Sequence, residues 1–116
     1  MLNEKNNVGL LGSVGNDVYG QLYEKLLDDE NIASVFEKFD VTNTGVCAVY
    51  CHNKDRGHVT DLGASTLVSN EFVNKVWEMF KNVELIFTEL FILKHRKKIV
   101  YQLAELANND RKHFGF

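Results

Sequence analysis

The sequence has 116 residues, 45% hydrophobic and 25% charged, which fits one globular domain over 1–116 with flexible ends at 1–15 and 108–116. A formal net charge of -3 argues against a nucleic-acid-binding protein, because such proteins carry a large basic excess. No apolar run approaches the roughly 18 residues of a transmembrane helix, and the low cysteine content without a sign of export favours a cytoplasmic location.

Glycine interrupts the N-terminal apolar segment at Gly9, Gly12 and Gly15. The pieces between these glycines are too short for the apolar core of a signal peptide. The segment also lacks both the GxGxxG order and the Gly-Lys-Ser/Thr ending of a phosphate-binding loop. It is therefore predicted to be a flexible or turn-forming leader.

Helical spacing begins after this leader. Apolar residues recur at three- and four-residue steps over 18–27, which predicts an amphipathic helix capped by Asn16 or Asp17. The acidic run at 28–30 then predicts the start of a second helix, unless the two form one bent helix. The buried stripe of this second helix would consist of Ile32, Val35, Phe36 and Phe39.

The middle of the chain carries the pattern of a β-hairpin. Residues 46–51 form a short apolar run dense in β-favouring side chains, which predicts a buried strand. The polar residues 53–57 fit a tight turn. Residues 58–63 would then return as the neighbouring antiparallel strand.

Thiol and imidazole side chains near this hairpin suggest a metal site, because these groups are the usual zinc ligands: Cys47, Cys51, His52 and His58. In a strand, Cys47 and Cys51 would face the same side about 13 Å apart, at roughly 3.3 Å per residue. That separation is too large for a shared ion or a disulfide. We therefore predict no metal site and two buried structural cysteines.

The strongest periodic signal opens the C-terminal half, where Ser69 or Asn70 can cap a helix that reaches about residue 90. Its apolar positions keep helical spacing: Phe72, Val73, Val76, Trp77, Phe80, Val83, Phe87 and Leu90. Two interpretations remain for 91–106: two strands around a basic run at 94–98, or continued helix. The basic run could meet phosphate on RNA or anionic lipid, but a solvated turn or helix face is favoured in an acidic chain.

No catalytic or cofactor-binding residue is predicted. The histidines are scattered among charged residues, and no serine or cysteine has the context of a nucleophile elbow. Aromatic residues are abundant, and a domain this small often completes its burial by pairing. We therefore predict a non-enzymatic protein-binding module, with Val73, Trp77 and Phe80 either at an interface or in the core.

The order of helix, apolar strand, charged turn ending in glycine, second strand and long helix resembles the Roadblock family. The resemblance rests on 45–57, Gly63 and the helix at 70–90, with 91–103 in the place of the third strand. It implies an α/β fold in which helices pack on a small antiparallel sheet. It also implies a scaffold or adaptor without cofactors that forms a homo- or heterodimer and docks a small GTPase or trafficking complex. An extra segment at 28–44 and a short C-terminus depart from the family.

Two alternatives stay open. The first is a mostly α-helical domain that acts as an antagonist or immunity-type binding protein, which a continuous helix over 70–106 would favour. The second is a small metal-dependent enzyme, which would require Cys47 and Cys51 to approach one ion.

Overall fold

The computed structural model describes residues 8–116, so the flexibility predicted for 1–7 lies outside the described residues. The helices and strands of the described part are β1 (Val8–Gly15), α1 (Val18–Asp29), β2 (Ile32–Phe39), β3 (Val46–His52), β4 (Asp55–Asp61), α2 (Asn70–Val76), β5 (Leu85–Phe87), α3 (Leu90–Asn109) and β6 (His113–Gly115). Short 3-10 turns lie at Gly63–Thr66 and Trp77–Phe80. Within these residues, no helix combines the length and apolarity needed to cross a lipid bilayer.

A strand–helix–strand unit opens the fold. β1 and β2 run parallel, in register from Val8 opposite Ile32 to Gly15 opposite Phe39. α1 connects them, because parallel strands need a long crossover and cannot be joined by a tight turn. β1 thus occupies residues for which the glycine pattern predicts a flexible leader.

The second helix predicted after residue 28 is a strand instead. α1 ends at Asp29, and Asn31 adopts the left-handed conformation, with φ 57°, before the chain enters β2. Val35 of β2 is 5% exposed and lies opposite Leu11 of β1. The helix prediction is wrong because a short apolar run suits helix and strand alike, and pairing with a distant strand decides between them.

β3 and β4 form an antiparallel hairpin, as predicted, with Val46 opposite Asp61 and His52 opposite Asp55. The turn predicted at 53–57 is wrong in its bounds, because 55–57 already belong to β4. Every residue of β3 is exposed, so the prediction of a buried strand is wrong. β-favouring side chains promote the extended conformation, whereas burial depends on what packs over the pair.

The long helix predicted over 70–90 is interrupted. α2 ends at Val76, the 3-10 turn at Trp77–Phe80 follows, and β5 begins at Leu85. β5 pairs in parallel with β6, where Leu85 lies opposite His113. Strand pairing with the C-terminal residues therefore overrides the helical spacing of this segment.

Residues 91–106 are helical, so the predicted strands around 94–98 are wrong. This helix begins anew at Leu90 and does not continue the helix predicted over 70–90. The helix is α3, and it is kinked at Arg96, whose φ of -137° and ψ of 47° are not helical. β6 follows within the tail for which flexibility is predicted.

The core lies between the β1–β2 pair and helices α2 and α3. One buried cluster includes Val35, Trp77 and Phe80, another includes Val73, and Leu11 packs against both. The predicted fold, in which helices pack on a small antiparallel sheet, is wrong: the strands that line this core are parallel, and the antiparallel pair is exposed. The mostly helical alternative is also wrong, because strand pairing organises both halves of the described chain.

Candidate functional site

The candidate site lies at the carboxyl ends of β1 and β2. Because these strands are parallel, both ends meet at one edge of the sheet, where ligands of α/β proteins commonly bind. The β3–β4 hairpin leaves and returns at the same edge. We call the meeting point of the three segments the junction: residues 13–17, 40–45 and 61–64.

Asp17 fastens the base of the hairpin to the sheet. Its Oδ1 accepts hydrogen bonds from the Gly20 amide at 2.8 Å and the Thr44 hydroxyl at 2.7 Å, and its Oδ2 accepts one from the Thr44 amide at 2.8 Å. The backbone hydrogen bond from Thr44 is the largest of the effects that hold the pKa of Asp17 below its ordinary value. A carboxylate stabilised in this way serves as a structural acceptor and is poorly suited to remove a proton from a substrate.

Buried hydrogen bonds and close backbone contact complete the junction. The Ser13 hydroxyl donates to the Ala64 carbonyl at 2.7 Å, and the Ala64 amide donates to the Asn43 carbonyl at 2.8 Å. α1 approaches β1 so closely that a Cβ on Gly20 would stand 2.3 Å from the carbonyl oxygen of Gly15. Only glycine fits at position 20, because the atom in the way belongs to the backbone.

The hairpin presents two different faces, because side chains alternate along each strand. The register groups one set on what we call the thiol face: Cys47, Val49, Cys51, Arg56, His58 and Thr60. The other set forms the tyrosine face: Val46, Ala48, Tyr50, His52, Asp55, Gly57, Val59 and Asp61. Guanidinium, imidazole, hydroxyl and thiol groups therefore share one face.

Both cysteines are free and exposed on the thiol face, so the prediction that they are buried is wrong. The reason is the one given for β3 as a whole: β-favouring side chains do not by themselves ensure that a strand is covered. The hydroxyl of Thr60 donates to the sulfur of Cys47 at 3.2 Å, and Cys51 lies opposite Arg56. His58 and His52 fall on opposite faces. Among residues 8–116, no group of three or more His, Cys, Asp or Glu side chains is arranged to hold a metal ion.

The residues predicted for an interface, Val73, Trp77 and Phe80, lie in the core with exposed fractions of 0%, 7% and 6%. The indole Nε1 of Trp77 also donates to the Asp110 carboxylate at 2.8 Å. These side chains pack within the chain itself. A role for them in contact with another protein stays a prediction.

Sequence patterns leave the helix cap open between Asn16 and Asp17, and the structure places it at Asp17. They miss the bond from Asp17 to Thr44, which lies 27 residues further along the chain. The only local signal is the order Gly15-Asn16-Asp17 at the end of an apolar run, which is typical of a strand that gives way to a helix. The long-range contact follows from the parallel pairing of β1 and β2.

Comparison with known proteins shows which family shares this arrangement. The model of the family described as pfkB family carbohydrate kinase matches residues 3–115. An adenosine kinase from Saccharomyces cerevisiae is 30% identical over 106 residues, which cover 89% of this chain and 30% of that relative. An adenosine kinase from Schizosaccharomyces pombe is 28% identical over 111 residues, which cover 92% of this chain and 33% of that relative. The chain therefore spans about a third of the length of the curated relatives it matches.

Solved structures are similar over the same extent. The apo adenosine kinase of Trypanosoma brucei brucei superposes with a TM-score of 0.82 at 26% identity, over 92% of this chain and 33% of that one. The Anopheles gambiae adenosine kinase in complex with P1,P4-di(adenosine-5) tetraphosphate gives 0.81 at 18% identity, over 91% and 32%. A ribokinase from Giardia lamblia gives 0.80 at 15% identity, over 97% and 37%. The last two show the fold alone.

These matches correct the predicted function. Because the matched family and its relatives are kinases, the prediction of a non-enzymatic scaffold or adaptor is wrong, as is the antagonist alternative. The predicted dimer and its small GTPase or trafficking partner are wrong with it. The Roadblock resemblance is wrong because an order of helix, hairpin and helix suits both folds. The parallel pairing of β1 with β2, which the sequence pattern did not reveal, is part of the matched kinase fold.

Proposed function

We propose that this chain, which belongs to the pfkB carbohydrate kinase family, takes part in phosphoryl transfer. The phosphoryl group would pass from ATP to a hydroxyl of an adenosine-type nucleoside. The adenosine kinases from the two yeasts and from Trypanosoma brucei brucei support the nucleoside as acceptor. In such a transfer the acceptor oxygen forms a bond to the γ-phosphorus, the bond to the β-phosphate oxygen breaks, and the hydroxyl loses its proton. Positioning of the acceptor is a large part of this catalysis.

The exposed hairpin at the carboxyl edge of the sheet is the observation that carries the proposal. An isolated two-stranded hairpin is only marginally stable in water. Here Val49 on the thiol face remains 60% exposed, although apolar surface next to a binding edge is normally covered. A ligand bound at the carboxyl edge of the sheet would cover this exposed apolar surface.

We propose that the thiol face covers the acceptor. A nucleoside combines a flat base with a sugar that carries several hydroxyls. The imidazole of His58 and the side chain of Val49, which lie opposite each other, suit contact with a flat ring. Arg56 supplies hydrogen-bond donors on the same face, and the hydroxyl oxygen of Thr60, whose proton goes to Cys47, supplies an acceptor.

The role that we propose for this chain is to contact and position the acceptor nucleoside. Asp17 is occupied as a structural acceptor. We therefore assign Asp17 no proton transfer in the reaction. We further propose that the protein acts in the cytoplasm, where the exposed thiols of Cys47 and Cys51 stay reduced.

A graft tests the proposal directly. Residues 8–116 would replace the matched region of the Saccharomyces cerevisiae adenosine kinase, and formation of the phosphorylated product would be measured with adenosine and with ribose as acceptor. We expect transfer to adenosine in preference to ribose. A graft that unfolds cooperatively and yet transfers phosphate to neither acceptor, or to ribose alone, would overturn the nucleoside assignment.

A pair of variants in the same graft tests whether the thiol face contacts the acceptor. His58→Ala removes a ring from the thiol face and should raise KM for adenosine about tenfold with little change in KM for ATP. Val59→Ala is the control, because its side chain lies on the tyrosine face. Equal effects of the two substitutions would show that the thiol face does not contact the acceptor.

A further inference from the structure

A basic concavity lies at the kink of α3, outside the candidate site. It has a volume of about 290 Å³ and is lined by Asn70, His95, Arg96, Lys97, Lys98 and Ile99. No carboxylate is among the lining residues. With Lys94 beside it, four lysine and arginine side chains fall within five consecutive residues of a chain whose net charge is -3.

The cations of this run lack carboxylate partners in the described part of the chain. The ion pairs found there join Lys25 to Asp29, Lys38 to Glu24 and Lys81 to Glu78. Lys97 instead lies 5.5 Å from the centre of the Tyr101 ring. Like charges held this close repel one another, so an anion that enters the concavity gains from all of them.

The guanidinium of Arg96 is held at the kink. Arg96 donates from Nη2 to the Val68 carbonyl, while its Nε is buried and has no hydrogen-bond partner among the described residues. The non-helical backbone of Arg96 separates the first part of α3 from the turn that follows it. Lys97, Lys98 and Ile99 of that turn line the concavity.

We propose that this concavity binds a phosphate-bearing anion. A phosphate group carries about two negative charges near neutral pH and several acceptor oxygens, which match clustered ammonium and guanidinium donors. The volume accommodates a phosphate group but not a folded partner. Nucleic acid is disfavoured, because nucleic-acid-binding proteins carry a large basic excess and this chain has a net charge of -3.

Calorimetric titration of the full chain with inorganic phosphate and with tripolyphosphate, at constant ionic strength, tests the site. We expect one bound anion per chain, and a higher melting temperature of the chain in its presence. In the double variant Lys97→Gln with Lys98→Gln, affinity should fall by at least about tenfold. The control double variant Lys25→Gln with Lys54→Gln removes the same charge elsewhere and should retain affinity.

A second experiment distinguishes a free phosphate-bearing ligand from the phosphate of a lipid headgroup. It measures binding to vesicles of phosphatidylcholine, with and without phosphatidylglycerol. Binding of the free anions without binding of anionic vesicles supports a small phosphate-bearing ligand. Binding of vesicles alone, absence of any anion binding, or an equal loss of affinity in the control would each overturn the proposal. The measurements involve no nucleoside and no graft, so their failure leaves the proposed kinase function untouched, and the reverse also holds.

Discussion

The junction and the hairpin that it holds are packed in opposite ways. Ser13, Thr44 and Ala64 in the junction are exposed by only 7%, 7% and 0%, whereas all of β3 is exposed. The junction is joined by hydrogen bonds between segments distant in sequence, and the hairpin chiefly by bonds between its own strands. A hairpin that is fixed at the junction and exposed along its strands has side chains available to contact a ligand.

This contrast separates residues that maintain the structure from residues that are available for binding. A substitution in the junction should act on the free energy of unfolding, because its side chains contact several segments. A substitution on the hairpin should leave that free energy nearly unchanged and act on ligand affinity. Three sets of variants test this division.

Gly20→Ala should have the largest effect. In a helix, this change is normally stabilising, but here the new Cβ would stand 2.3 Å from the Gly15 carbonyl oxygen. We expect the free energy of unfolding to fall by about 1–3 kcal/mol, the usual cost of overpacking. Urea denaturation would measure it.

The control for this change is Gly12→Ala, whose Cβ would lie 3.5 Å from the Phe36 ring, an ordinary contact. Its effect should stay below about 1 kcal/mol. If the two alanine variants are equally stable, close contact at Gly20 does not hold α1 against β1.

Asp17→Asn should come next. It removes a charged acceptor that serves Gly20 and Thr44, so the base of the hairpin should loosen and the variant should unfold at lower urea. Asp28→Asn, at the exposed end of α1, makes the same change of charge as a control.

The pH dependence of this effect has a definite sign. The pKa of Asp17 is lower in the folded chain than its ordinary value of 3.8, so the charged carboxylate contributes stability at neutral pH. That contribution is complete above the ordinary pKa and is lost as pH falls through the lowered one. The difference in stability between the parent and Asp17→Asn should therefore shrink in acid, and a difference that is constant with pH would contradict this account.

Val59→Thr on the hairpin should have the smallest effect. Val59 is 71% exposed, so we expect a change within about 0.5 kcal/mol. The same substitution at Val14, which is 2% exposed in the junction, buries a hydroxyl and should cost about 1–3 kcal/mol. Thermal unfolding of both variants gives the comparison, and equal losses would mean that the hairpin is packed as tightly as its base.

The two halves of the candidate site also differ in how far the sequence predicted them. One part of the thiol face was predictable from the sequence, because alternation along a predicted strand already places Cys47 and Cys51 on one side. Its partners on the second strand were not, because the predicted turn at 53–57 contains Arg56, which in the structure pairs with Cys51. The junction was not, because the bond from Thr44 to Asp17 spans 27 residues and exists only after β1 and β2 have paired. The Roadblock resemblance failed at the same point, since local order alone does not distinguish parallel from antiparallel neighbours.

The sequence by itself determined the first helix with a cap at Asn16 or Asp17, an extended hairpin within 46–63, and the helical possibility for 91–106. Each of these depends on periodicity, capping or turn chemistry within a few neighbouring residues. Only the tertiary structure decided that 32–39 is a strand, that Leu85–Phe87 interrupts a helical pattern, and that the hairpin lies in solvent. The physical reason is that pairing and burial are set by distant segments of the chain, and a short apolar run is compatible with several such partners.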